Sequence, residues 1–175
     1  MGPSAFKRAL VALQPGATVK VSRPMGSFHF ERSRPAVIVT GGIGVTPLRS
    51  MLRDAAATGH DQPIRLLYGN RSVDEIAYRH ELEQLAGSDP LLQITWALSD
   101  PAGFAPAVGD AHVGRIDERL LRRQLEELPD AVFYLTGPAA MVTEVRTVLR
   151  DLRLPPRRLR MSTQTLPIDR KSRSH

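Results

Sequence analysis

Apolar positions along this chain follow two alternating rhythms, and their order predicts an α/β domain. Ala36-Val-Ile-Val39 is an unbroken, β-branched apolar run, which predicts a strand buried on both faces. Residues 64–70, 93–99 and 131–137 predict three further strands, and residues 158–164 a short fifth. Helical periodicity fills the gaps, over residues 48–57, 73–85, 117–128 with Asp117 as N-cap, and 138–152. Strands alternating with helices of this length predict a doubly wound, five-stranded parallel sheet over residues 35–165. The Gly/Pro/Ala-rich stretch 101–114 reads as a long loop lying over a binding cleft.

The first 34 residues follow a different pattern. Residues 4–13 predict a short amphipathic helix with Phe6, Leu10 and Leu13 on its apolar side. Pro15-Gly16 makes a turn, and residues 19–22 and 27–30 alternate like half-buried strands. Two strands and a helix cannot bury a core alone. The segment 1–34 therefore reads as the remnant of a larger β domain, a partial barrel.

Composition narrows the class. The chain of 175 residues is 42% hydrophobic and 24% charged, a soluble globular balance. It has no cysteine, which removes disulfides, thiolate metal sites and iron–sulfur clusters, and no metal site is expected. No apolar run approaches the roughly 18 residues of a membrane span, and no signal peptide is visible, so the expected compartment is the cytoplasm. The net charge of +6 is concentrated at the end: residues 157–175 hold six basic residues against Asp169 alone. Residues 166–175 read as a basic, disordered tail. It has no aromatic residue for base stacking, and no nucleic-acid partner is expected.

The candidate chemistry sits where strands end. Gly41, Gly42 and Gly44 follow the first strand, and Thr46 and Pro47 open the next helix. Glycines let backbone N–H groups approach a pyrophosphate, and a helix N-terminus adds a favourable dipole. Pro47 suits the first helical turn, where its missing N–H costs nothing. A plain tight turn would also accept this glycine cluster. In a doubly wound sheet, ligands bind at the carboxyl ends of the strands. Gly41 to Pro47, Asn70-Arg71, Ser99-Asp100 and Thr136 to Met141 should therefore converge on one rim.

Together these motifs resemble the ferredoxin–NADP reductase family, in its nicotinamide-nucleotide-binding half. Gly41 to Pro47 match Gly-Gly-x-Gly-x-Thr-Pro, Asn70, Arg71, Glu75, Ile76, Ala77 and Tyr78 match a second motif, and Gly137, Pro138 and Met141 match Gly-Pro-x-x-Met. Ser4 to Lys7, Leu13 to Gly16 and Arg23 to Phe28 look like the last stretch of the family's flavin barrel. The resemblance implies a fold like the ferredoxin reductase C-terminal domain, and hydride transfer between NAD(P)H and FAD with electrons passed on to an acceptor. It implies that Gly41, Gly42, Gly44, Val45 and Thr46, with Pro47, hold the pyrophosphate. Asn70 and Arg71 would face the adenosine ribose, and Ser99 is a further cofactor-binding candidate by its place on the same rim. Thr136, Gly137, Pro138 and Met141 would flank the nicotinamide, with Thr136 as the catalytic candidate. Ser4 and Lys7 would face the flavin pyrophosphate. Met141 could equally be helix core packing, and Arg71 a solvated charge.

Three departures qualify the resemblance. The family's flavin-anchoring Arg-x-Tyr-Ser/Thr motif has no equivalent here. Thr136 stands where many members have cysteine. The chain ends in a basic tail rather than an aromatic residue. FAD retention by this chain is therefore expected to be weak or absent. The implied partners are a nicotinamide nucleotide and a flavin domain or electron-carrier protein. The alternative is a non-catalytic NAD(P)-binding module serving a separate flavoprotein. A third reading is an interaction protein whose basic tail docks an acidic carrier or a membrane face. Arg71 could pair with a 2′-phosphate, which favours NADPH. Gly44→Val is expected to weaken nucleotide binding with the fold intact.

Overall fold

A computed structural model describes residues 4–21 and 28–163. The tail expected over 166–175 and the whole of residues 22–27, which hold the adjoining ends of the two expected N-terminal strands and all but Phe28 of the Arg23 to Phe28 match, lie outside the described residues. Helix α1 spans Ala5–Val11 and is capped by the Ser4 hydroxyl, which accepts from the Lys7 amide at 3.3 Å. It buries none of its residues.

Six parallel strands form the sheet: β1 Ala36–Gly41, β2 Ile64–Asn70, β3 Leu92–Leu98, β4 Asp110–Val113, β5 Val132–Gly137 and β6 Leu159–Thr163. Their order is β4-β3-β2-β1-β5-β6. Helices α2 Val45–Thr58 and α3 Arg79–Ser88 cover one face. Helices α4 Glu118–Glu127 and α5 Ala139–Asp151 cover the other. The chain winds outward from β1 to β4, then crosses to β5 on the far side of β1. That reversal places a crevice between the carboxyl ends of β1 and β5.

Alternation along each strand builds two cores. Ile38, Leu66, Tyr68, Ile94, Trp96 and Tyr134 point toward α2 and α3. Val37, Val39, Leu67, Phe133 and Leu135 point toward α4 and α5. All six residues of β1 are buried, as its unbroken apolar run predicts. In α2, Val45, Leu48, Leu52 and Ala55 recur at helical spacing and are the buried positions. The Asp117 cap also holds, with its carboxylate accepting from the Leu120 amide at 2.8 Å.

Four expectations are corrected. The sheet has six strands rather than five, because β4 lies within the stretch expected to be loop. The rest of that loop folds back over the α2/α3 face: the Trp96 indole donates to the Val108 carbonyl at 2.9 Å, and Phe104 meets Trp96 edge-on. The helix expected from residue 73 begins at Arg79, after a single turn at Val73–Glu75 and a left-handed Tyr78. The cause is tertiary. Ala77 donates its amide to the Tyr68 hydroxyl at 3.2 Å, and that hydroxyl donates to the Gly42 carbonyl at 2.9 Å. Finally, residues 19–21 and 28–30 are irregular rather than extended in a sheet. A strand needs a ladder to join, and no described residue offers them one. Phe28 and Phe30 instead pack edge-on against Tyr134, with ring centroids 5.9 and 5.1 Å away.

The lower end of the fold carries a pH-sensitive tie. His60, just after α2, places Nε2 2.7 Å from the Asp89 carboxylate beyond α3 and Nδ1 2.9 Å from the Gln62 carbonyl. Burial by itself depresses the imidazole, but the Asp89 hydrogen bond and the Gln62 carbonyl outweigh it, and the net pKa is raised. The fold thus prefers protonated His60. Its contribution is complete below about pH 6.5, the unfolded value, and is lost as pH rises through the folded value. Urea denaturation from about pH 6 to pH 9 should show wild type losing more stability than His60→Gln. Parallel pH profiles would remove His60 as the source.

Candidate functional site

The carboxyl ends of β1, β2 and β3 carry a run of small residues on the α4/α5 side. Gly41 is in register with Gly69, and Gly69 with Ala97. The missing side chain at Gly41 admits Met141, whose Sδ would lie 2.7 Å from an added Cβ, and a cavity of about 310 Å³ lies beside these strand ends. Ile116 leans over its floor: a Cβ added at Gly69 would lie 3.4 Å from the Ile116 Cδ1. Pro138, Ala140, Met141 and Val145 at the start of α5 form a second wall. Asn70, Arg71, Glu75 and Ser99 line it from the ends of β2 and β3, and Gly42 from the turn after β1. A larger cavity of about 390 Å³ lies at the opposite end of the sheet, beside Ala36, Ile64 and His60, away from every strand end that the motifs mark.

The structure brings together seven of the residues singled out from the sequence: Gly41, Gly42, Asn70, Arg71, Ser99, Pro138 and Met141 all line the cavity. The others have different roles. Gly44 is buried, and a Cβ there would lie 2.6 Å from the Gly137 Cα and 2.9 Å from the Gly137 nitrogen. Gly137 itself has φ of +140°, which favours glycine, and its α-carbon faces the Gly41 backbone. These two glycines join the β1 and β5 turns where the winding reverses. The expectation that Gly44→Val leaves the fold intact is therefore corrected, because its Cβ would meet backbone rather than ligand space.

Val45 is fully enclosed in the core beneath α2. Thr46 is exposed, and its hydroxyl donates to the Ile43 carbonyl at 2.8 Å. Pro47 is the third residue of α2, and no side chain caps that helix. Thr136 is 0% exposed and stands in register with Thr40 on the opposite sheet face from Gly41. Among the described residues neither hydroxyl has a hydrogen-bond partner. Thr136 does not line the cavity. Ser4 and Lys7 lie on exposed α1 and line neither of these two cavities.

Gly42 is the open position. Its φ is +51°, and a Cβ there would meet nothing within 4 Å. The Tyr68 hydroxyl fixes its carbonyl, and burial pushes that hydroxyl's pKa up, so it stays a donor. Asn70 ends β2 on the Tyr68 face; its amide lies near that hydroxyl, yet its oxygen and nitrogen are buried without a hydrogen bond in good geometry. Among the described residues Asn70 is thus a buried polar group at the cavity margin without a well-formed hydrogen bond.

Sequence reasoning missed Gly69, Ala97, Ile116, Arg115 and Glu144. Gly69 could have been found as a glycine in a strand interior, a mark of close approach. The rest carry no local signal, because Arg115 and Glu144 meet only through the fold, with their charged groups 3.2 Å apart. Among the described residues, no helix is long and apolar enough to cross a membrane, and no cluster of three metal-ligating side chains occurs.

A family model described as the oxidoreductase NAD-binding domain matches residues 38–147. One component of the Na(+)-translocating NADH-quinone reductase of Klebsiella pneumoniae is 35% identical over 155 residues, which cover 86% of this chain and 38% of that protein. Reductase component 1 of the terephthalate 1,2-dioxygenase of Comamonas is 30% identical, covering 85% of this chain and 44% of that protein. The chain thus spans about two fifths of the length of these curated relatives. The cytochrome b5 reductase domain of Ulva prolifera nitrate reductase superposes with a TM-score of 0.73 at 26% identity, covering 91% of this chain and 64% of that one.

Proposed function

The chain belongs to the ferredoxin reductase family, as its oxidoreductase NAD-binding domain, and we propose that it serves as the nicotinamide-nucleotide-binding part of a flavin-dependent NAD(P)H oxidoreductase. The observation that carries the reading is the cavity at the strand ends, lined by seven residues singled out from the sequence, six by the motifs and Ser99 by its place at a strand end. The space at Gly42, where an added side chain would meet nothing, suits a pyrophosphate, and the uncapped start of α2 adds a favourable dipole. In this reading Gly41 and Gly42 hold the pyrophosphate, and Asn70, Arg71 and Ser99 face the adenosine. Pro138 and Met141 flank the nicotinamide. Thr136 is enclosed at the β5 end outside the cavity and has no contact with the nucleotide in this reading; among the described residues no group engages its hydroxyl. The bound dinucleotide supplies the hydride; the chain binds and orients it.

The described residues do not fit a flavin in the same way. Ser4 and Lys7 are both exposed, and α1 encloses nothing. Tight ligand sites bury roughly 70–90% of their ligand. Flavin binding is therefore assigned to a barrel of which residues 1–34 are the closing part. A cytoplasmic setting and an electron carrier or flavin domain as partner belong to the same proposal. The second reading, a nucleotide-binding module acting with a separate flavoprotein, is favoured by the exposure of α1.

Titration with NADH and NADPH is the direct test, and saturable binding is expected. Gly42→Val should weaken it at least about tenfold, or roughly 1.4 kcal/mol. Unchanged affinity in that variant would sink the pyrophosphate assignment. Residues 1–175 alone should retain little FAD and reduce dyes negligibly. Fusion to an upstream flavin barrel should restore both, and stoichiometric FAD in the isolated chain would contradict the division of labour.

A further inference from the structure

The charged rim of the strand-end cavity has an arrangement that the nucleotide-binding reading leaves unused. Arg115 precedes Ile116 in the β4–α4 connection, on the Gly69 side of the floor. Glu144 lies on α5, one turn beyond Met141, on the opposite wall. Their side chains meet at 3.2 Å and so bridge the two walls. Both are more than half exposed, 69% and 55%, so the pair sits at the rim rather than in the floor. The remaining cation on the rim, Arg71, makes no ion pair among the described residues; its amide donates to Glu75 at 3.3 Å. The rim therefore carries two carboxylates, Glu75 and Glu144, and two guanidiniums, one of them committed to Glu144.

We infer that Arg115 is a phosphate-binding residue for the nucleotide, and that Glu144 holds its guanidinium as an internal competitor until the ligand arrives. The inference rests on the strand-end cavity being the nucleotide site. A guanidinium binds a phosphate through the same two-pronged geometry by which it binds a carboxylate. A phosphate entering the cavity thus offers Arg115 a second acceptor of higher charge. The exchange leaves Glu144 in water, where an exposed carboxylate is well solvated. Because exposed ion pairs are weak, the competitor is displaced at small cost. Glu144 therefore lowers affinity without blocking the site, and also repels any anion that arrives without engaging Arg115. The phosphate could belong to the pyrophosphate or to an adenosine 2′-position.

The experiment is a double-mutant cycle on the folded chain, with NADH, ADP and 2′-AMP as probes and circular dichroism and urea midpoint as controls. Removing the competitor, Glu144→Gln, should tighten NADH binding about two- to fivefold, the worth of an exposed pair. Arg115→Ala should weaken it about tenfold, as for a lost charged hydrogen bond. In the Arg115→Ala background only the repulsion remains, so Glu144→Gln should tighten binding less than it does in the wild type, and an equal tightening in both backgrounds overturns the competition. A loss on ADP identifies the pyrophosphate as the partner of Arg115, and a loss confined to 2′-AMP identifies the 2′-phosphate. Unchanged affinity of Arg115→Ala for all three probes, or weaker binding by Glu144→Gln, overturns the inference. A wild-type chain that binds none of the probes overturns the nucleotide site itself, a separate outcome.

Discussion

Gly44→Val should destabilise this domain by about 3 kcal/mol, the top of the overpacking range. The added Cβ would fall 2.6 Å from the Gly137 Cα, 2.9 Å from its nitrogen and 3.1 Å from the Thr136 carbonyl carbon. All three are backbone atoms, so no rotamer change relieves the overlap. The β1 and β5 turns would have to part, and they meet at the point where the sheet winding reverses. Against a total stability of about 5–15 kcal/mol the loss is large. Urea denaturation followed by Trp96 fluorescence is the measurement. Gly44→Ala shares the same Cβ and should lose much of the same stability. A wild-type midpoint for Gly44→Val would show that the two turns are not in contact. Gly42→Val is the complementary case, because its Cβ meets open space. It carries only the left-handed backbone penalty of about 1–2 kcal/mol.

Tyr134→Ala should cost about 3–5 kcal/mol, as for other buried aromatic truncations. Tyr134 is 1% exposed at the centre of β5 and receives Phe28 and Phe30 edge-on. Its hydroxyl accepts from the Glu31 amide at 2.7 Å, and burial pushes its pKa up, so it stays protonated. The residue thus fastens the segment before the domain to the sheet. Tyr134→Phe keeps the ring contacts and removes only the acceptor, for about 0.5–1.5 kcal/mol. Limited proteolysis between residues 28 and 34 should quicken in the alanine variant and change little in the phenylalanine one. Equal midpoints for the two variants would show that ring packing contributes nothing at this position.

The sequence by itself determined the α/β class, the buried strands β1, β2, β3 and β5, and the convergence of Gly41, Gly42, Asn70, Arg71, Ser99, Pro138 and Met141. These features are local. An apolar run, a helical stripe and a glycine at a strand end are written in neighbouring residues, and parallel strands bring their carboxyl ends to one side. What needed the tertiary structure depends on residues far apart in the chain. Gly44 and Gly137 both read as ligand glycines, yet each is there because the other turn passes so close. The helix expected from residue 73 gave way because Tyr68 takes the Ala77 amide. Strand β4 is short and exposed, and it becomes a strand only by pairing with β3. Thr136 read as a reactive position at a strand end, but strand alternation turns it to the enclosed face beside Thr40. Arg115 and Glu144 are ordinary surface charges in the sequence. Only the packing of α5 beside the β4–α4 connection sets them across one cavity, because local patterning carries no information about which walls face each other.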